Sequence, residues 1–235
     1  MLQEEADVAL VRIFECFLDA APHKILHLTI IISGSLIPTV SQSLTLFSAF
    51  TGFAWSLAAY SRCIRLAQPD KKQMSWAGTI CQCVWHFSVT LSRVFSIALV
   101  ASLFPQFTII AIAIHILLMT LWIFIVDRSP FCSYTMFHSF AFSLILGCVF
   151  VFTYILPKDT KNTFKRYTFF YSICAIENVL CLITFIIYST LSIAIISILT
   201  ALCICSFIVG ITAMIVYYTY LHPNYLSRRE LMTEL

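Results

Sequence analysis

The chain has 235 residues, 60% of them hydrophobic and only 11% charged, with a net charge of +3 and a mean hydropathy of +0.94. Soluble domains carry about 25% charged residues, so this composition excludes a soluble globular protein and points to a polytopic membrane protein, read as one membrane domain over residues 1–235. The positive charge sits in clusters between apolar runs, which speaks of topology and lipid headgroups and argues against a nucleic-acid partner.

The start, MLQEEADVAL, is acidic and has no basic region followed by an apolar core, so it is not a cleavable signal peptide. Seven apolar segments follow as candidates to enter the roughly 30 Å hydrocarbon core. The first, 5–37, is interrupted by Pro22 and followed by Pro38. Its residues 5–21 are too polar for a lipid-exposed span, so we expect a broken, partly embedded helix leading into 25–37. Along it, Arg12, Glu15, Asp19 and His23 follow i, i+3, i+7, i+11, a single stripe about 16 Å long on a regular helix.

Segments 43–67, 75–103, 106–126, 131–156, 166–188 and 190–221 come next. In 75–103, Gln82, His86 and Arg93 fall at i, i+4, i+11 and share a face. The loops 62–73 and 157–166 each carry four Lys/Arg, and the tail 222–235 carries Arg228 and Arg229. The positive-inside rule puts all three in the cytoplasm. Residues 74–156 then hold three candidate segments between two cytoplasmic loops, and an odd number of crossings cannot return to the same side. One of the three must be half-spanning or re-entrant, with Pro105 as a break point. The expected fold is therefore an all-α integral membrane bundle of about six or seven membrane-embedded helices, at least one not fully spanning. Two broken, polar-bearing segments, near the start and the middle, also fit a protein built from internal repeats with a site between halves. Trp76 and the run VYYTY are placed like interfacial aromatic belts.

Charges at the centre of a membrane helix cost about 2.5–3.5 kcal/mol each and need a reason. Here they are Arg12, Glu15, Asp19, Arg93 and Glu177, with Asn178 beside Glu177. Two readings stay open. Glu15 or Asp19 pairs with Arg93 or Arg12 and fixes helix packing, or the polar stripes line a hydrated path for something charged or zwitterionic. Glu177 has no basic residue within a turn and needs a tertiary partner or a protonated carboxyl. His27, His115 and His138 stand singly in apolar surroundings and read as core or interfacial residues. Most of the ten cysteines lie inside apolar runs, where they behave as small hydrophobes. Cys81/Cys83 and Cys203/Cys205 have no His or carboxylate at ligand spacing, so no metal is assigned. There is no G-x-S-x-G, H-E-x-x-H or P-loop, so neither an enzyme nor a cofactor is expected.

The run VRIFECFLDAAPH resembles the signature of the XK-related membrane proteins, in which two acidic residues four apart precede Ala-Pro. FAWSLAAYSRCIR, VWHFSVTLSRVFSIALVASLFP and VYYTYLHP are similar, in order, to the family's later Trp-bearing, Trp-to-Arg and Tyr-Tyr…His-Pro stretches. The resemblance implies that Glu15 and Asp19 are the signature acids, that Trp85 and Arg93 hold the family's Trp and Arg positions, and that Glu177 matches a later acidic position. It also implies an ATP-independent phospholipid scramblase of the plasma membrane, moving lipids such as phosphatidylserine and linked to apoptosis. On this view Glu15, Asp19, Arg93 and Glu177 form the lipid path, with Arg12, His23, Gln82, Trp85 and His86 in support. The alternatives are a non-transporting subunit that binds a single-pass membrane glycoprotein, or an inactive truncated product. The chain departs from the family in having Pro22-His23 for Pro-Gln and Asp19 for Glu. It begins where members of the family already have several helices behind them, and its tail carries no DxxD-type caspase site.

Overall fold

The computed structural model describes residues 2–34, 39–68, 73–127, 136–155 and 163–223. Lys71, Lys72, Lys158, Lys161, Arg228 and Arg229, which carry much of the expected cytoplasmic charge, lie outside the described residues. Those residues are helical with no strand, in the order α1 Leu2–Phe14, α2 Ala21–Ile32, α3 Val40–Leu66, α4 Trp76–Ala101, α5 Pro105–Trp122, α6 Met136–Val149, α7 Thr163–Tyr188 and α8 Ile193–Val216. Because α1 and α2 run into one another, the described residues contain seven continuous helical segments. The architecture is the helical membrane bundle expected from composition.

The opening segment does not break at Pro22. A π-helical turn, Glu15–Ala20, joins α1 to α2. Pro22 has no N–H and would press on the carbonyl one turn back; a wider turn immediately before it relieves that clash without ending the helix. The helix stops at Ile32 instead, where Gly34 adopts φ 76°, the left-handed conformation that closes helix C-termini. The next helix starts earlier than hydropathy suggests. Thr39 caps α3 by accepting from Gln42 N (3.3 Å) while its own N–H donates to Gln42 Oε1 (3.0 Å), a reciprocal capping box.

Among the described residues, four helices are long and apolar enough to cross a membrane: Trp76–Ala101, Pro105–Ile125, Thr163–Tyr188 and Ile193–Leu221. The candidate span 43–67, now α3, has the length, but its Ser, Thr and Gln dilute its hydropathy. Among the described residues between 74 and 155, α6 is the shortest of the three α-helices. Its 14 residues reach about 21 Å, and residues 150–155 continue without helix yet are buried throughout. Pro105 opens α5 at its first turn, where a missing N–H costs nothing.

Two compact units emerge. The first comprises residues 1–16, 38–92 and 198–235 and the second residues 17–37 and 93–197. In the first, α1 packs on α3, and α8 meets α4 at Gly210, where an added Cβ would stand 2.5 Å from Val89 Cγ2 and 3.0 Å from Val89 N. Ser92 Oγ also donates to Cys203 O (2.8 Å). Tyr217, expected in an interfacial belt, is buried and donates to Met74 Sδ (3.4 Å), whereas Trp76 is exposed beneath the Arg62 guanidinium, 4.3 Å from its ring. In the second unit, Phe17 packs on Phe152 (5.7 Å), and α5 and α6 cross at Gly147, whose Cβ would stand 2.5 Å from Thr120 Oγ1 and 3.0 Å from Ile116 O.

Candidate functional site

The break after α6 creates the site. Six buried residues, 150–155, have left the helix, so their carbonyls need donors from elsewhere, and non-helical backbone at membrane depth is tolerated only where protein supplies them. Two polar side chains do so. Arg93, on the last turns of α4, donates from Nε to Val151 O (2.8 Å), and His115, in the middle of α5, places Nε2 3.1 Å from Phe150 O.

The same two side chains converge on α7. Arg93 Nη2 donates to Glu177 Oε2, and Arg93 Nη1 donates to Asn178 Oδ1 (3.1 Å). His115 Nδ1 lies 2.8 Å from Glu177 Oε1. Each carboxylate oxygen of Glu177 therefore has one partner, from a different helix. The arrangement knits α4, α5, α7 and the broken segment around one carboxylate. Arg93 is 4% exposed and His115 5%. Charges so far from water persist only when paired and hydrogen-bonded, and this cluster meets both conditions.

A cavity of about 590 Å³ opens beside the cluster. Arg93, His115 and Glu177 line it, and Ile97, Phe104, Ile112 and Leu180 are among the residues that make the rest of its wall predominantly apolar. Phe107, Leu180 and Tyr188, which also line it, are exposed, so its rim merges with the apolar outer surface of the unit. A charged end and an apolar body in one cavity suit an amphiphile.

The sequence-derived residues divide into three groups. Arg93 and Glu177 come together as an ion pair. This corrects the expectation that Arg93 pairs with Glu15 or Asp19: Arg93 has its acid on α7, reached only through tertiary packing. Arg12, Glu15, Asp19 and His23 are all exposed, and the described contact within that stripe is local, His23 Nδ1 standing 2.8 Å from Asp19 O and 3.4 Å from Asp19 Oδ1. Gln82, Trp85 and His86 are buried on α4, with the Trp85 and His86 rings stacked at 4.4 Å. Gln82 Oε1 and both His86 nitrogens have no hydrogen-bond partner among the described residues.

His115 was the residue that sequence reasoning missed. A lone histidine within AIAIHILLM reads as core, and nothing within a turn of it is charged; its partner stands 62 positions away. The only sequence signal was the converse one, that Glu177 lacked a local base. His27 and His138 are half-buried and exposed, respectively.

With this geometry in view, a family model described as XK-related protein matches residues 1–223 of the 235. The match spans α1 to the end of α8 and includes Glu15, Asp19, Arg93 and Glu177; the chain belongs to the XK-related family.

Proposed function

We propose that the chain handles phospholipids as an ATP-independent scramblase, letting headgroups pass a polar intramembrane route while acyl chains stay in lipid. The observation that carries this reading is the Arg93–Glu177–His115 cluster standing at one end of an otherwise apolar cavity whose rim is exposed and apolar. Guanidinium and imidazole meet a phosphate, and carboxylates meet a headgroup amine. No covalent chemistry is required. Exposed Glu15 and Asp19 are the outer steps of the route in this reading. Residence in the plasma membrane and a link to apoptosis are supported by family likeness alone, and a cytoplasmic C-terminus by the positive-inside rule.

The test is a dithionite quench of fluorescent phospholipid in liposomes containing the 235-residue chain. Quenching beyond the outer-leaflet half, lost when Glu15 and Asp19 become Ala, is the expected result. Quenching that stops at half for the folded protein, or that survives neutralisation of all four path residues, refutes it.

A second reading has its own observation. Arg12, Glu15 and Asp19 are exposed on a helix within an apolar chain, and charges in such positions ordinarily face protein. A single-pass partner helix bearing a base would cover them. Loss of a co-purifying partner in Glu15→Ala/Asp19→Ala, with lipid distribution unchanged, would select this reading over transport.

A further inference from the structure

The acceptors of the buried cluster are all engaged: Glu177 Oε2 accepts from Arg93 Nη2, Glu177 Oε1 stands 2.8 Å from His115 Nδ1, and the Phe150 carbonyl stands 3.1 Å from His115 Nε2.

Donors, by contrast, are in surplus. A guanidinium has five N–H groups, and the bonds from Arg93 to Val151, Asn178 and Glu177 use three of them. Asn178, 5% exposed, has its Nδ2 buried without a hydrogen-bond partner among the described residues. These unused donors lie side by side on Arg93 and Asn178, and what satisfies them is a group that only accepts, a carboxylate or a phosphate.

The cavity sets the rest of the ligand. Its 590 Å³ is within the usual range for one small-molecule ligand of about 300–1,000 Å³, and its body is apolar from the cluster to the rim at Phe107 and Tyr188. We propose that this cavity is a binding site for a single-chain anionic amphiphile, whose carboxylate or phosphate monoester meets the spare N–H groups of Arg93 and whose acyl chain lies between α5 and α7 toward Phe104 and Leu180. The assignment shares its cavity with the scrambling reading but requires nothing to cross the bilayer. A fatty acid and a lysophosphatidate present the same chemistry.

The experiment measures binding of radiolabelled palmitate to the full chain in detergent, with lysophosphatidate and lysophosphatidylcholine as competitors. Saturable binding is expected, displaced by lysophosphatidate and about tenfold less well by the zwitterionic lysophosphatidylcholine, as expected from one unmatched charge-assisted contact. The tighter of the two anionic ligands identifies the source. Ala111→Trp on α5 and Leu180→Trp on α7 narrow the cavity from two walls while keeping Arg93, His115 and Glu177, and either one, eluting as a folded protein, should abolish binding. Non-saturable binding, binding unchanged in a folded Trp variant, or equal competition by the zwitterion in the parent chain overturns the proposal. Dithionite quenching on the same preparation separates the two readings. Palmitate binding without scrambling leaves this site standing and removes the transport function; scrambling without palmitate binding does the reverse.

Discussion

Replacing Glu177 with alanine tests whether the buried cluster holds the second unit together. The substitution removes the partner of Arg93 Nη2 and of His115 Nδ1 at once, leaving the buried guanidinium without its counter-charge. The side chain of Arg93 is 5% exposed, so water does not compensate it, whereas that of Glu177 is 32% exposed. Breaking a fully buried pair costs about 3–5 kcal/mol, and the partial exposure of Glu177 puts the expectation at the low end, about 3 kcal/mol. At this chain length 1 kcal/mol corresponds to about 2–4 °C, so the unfolding midpoint in detergent should fall by about 6–12 °C. Glu177→Gln keeps an oxygen for Arg93 and a polar group within reach of the His115 ring, so its loss should be about half as large. In Arg93→Met/Glu177→Ala the orphaned guanidinium is gone, and the double variant should be at least about 1 kcal/mol more stable than the two single losses added together. A change below about 1 kcal/mol in Glu177→Ala, the range of a solvated surface pair, would refute the claim that this pair is structural.

Further expectations concern helix crossings, a cap and the exposed stripe. Gly147→Val should lower the midpoint by the equivalent of about 2–3 kcal/mol, because the new Cβ meets Ile116 O, a backbone atom, at 3.0 Å and cannot be relieved by a rotamer change. Gly210→Val should behave likewise against Val89 N, also at 3.0 Å, whereas Gly52→Ala, whose Cβ meets nothing within 4 Å, should not destabilise. Thr39→Ala removes the hydroxyl that accepts from Gln42 N and should cost about 0.5–2 kcal/mol by the same melt. Asp19→Asn, at an exposed position, should shift stability by less than about 0.5 kcal/mol. If Asp19 is a step in lipid passage, the same variant slows dithionite-accessible exchange while its melting curve stays put, which distinguishes a route from a brace.

The structure also gives Arg93 a role that its charge alone did not suggest. Its Nε–H serves a main-chain carbonyl freed by the break after α6, as His115 does one residue earlier. The cluster is therefore at once an ion pair and the satisfaction of a helix that stops among buried residues. Removing Arg93 should expose the Val151 carbonyl as well as Glu177, so Arg93→Ala should be at least as damaging as Glu177→Ala.

Much of the architecture was legible in the sequence because the controlling forces are local. Runs of apolar residues long enough to cross a bilayer mark α4, α5, α7 and α8 whatever surrounds them. That α6 ends at Val149 was not legible there; its end depends on the close crossing with α5 and on the contacts from Arg93 and His115 to the freed carbonyls. Local chemistry was misread in two places. Pro22 read as a break, but a π-helical turn absorbed it, and the Thr39–Gln42 capping box, visible as T-x-x-Q, was passed over in favour of the first sustained apolar run at residue 43.

For the site, the sequence by itself determined that Arg93 and Glu177 were costly in an apolar helix and that each needed a partner, since the price of burying a charge depends only on the residue and the medium. It could not determine who the partners were. Arg93 and Glu177 are separated by 84 positions, and His115 stands 62 from Glu177, distances over which helical periodicity carries no information. Only the tertiary structure brought α4, α5 and α7 together around the broken segment, and in doing so it recruited a histidine with no local mark of function and left Glu15 and Asp19 on an exposed face. Burial energetics is written residue by residue, whereas pairing follows from which helix faces happen to meet.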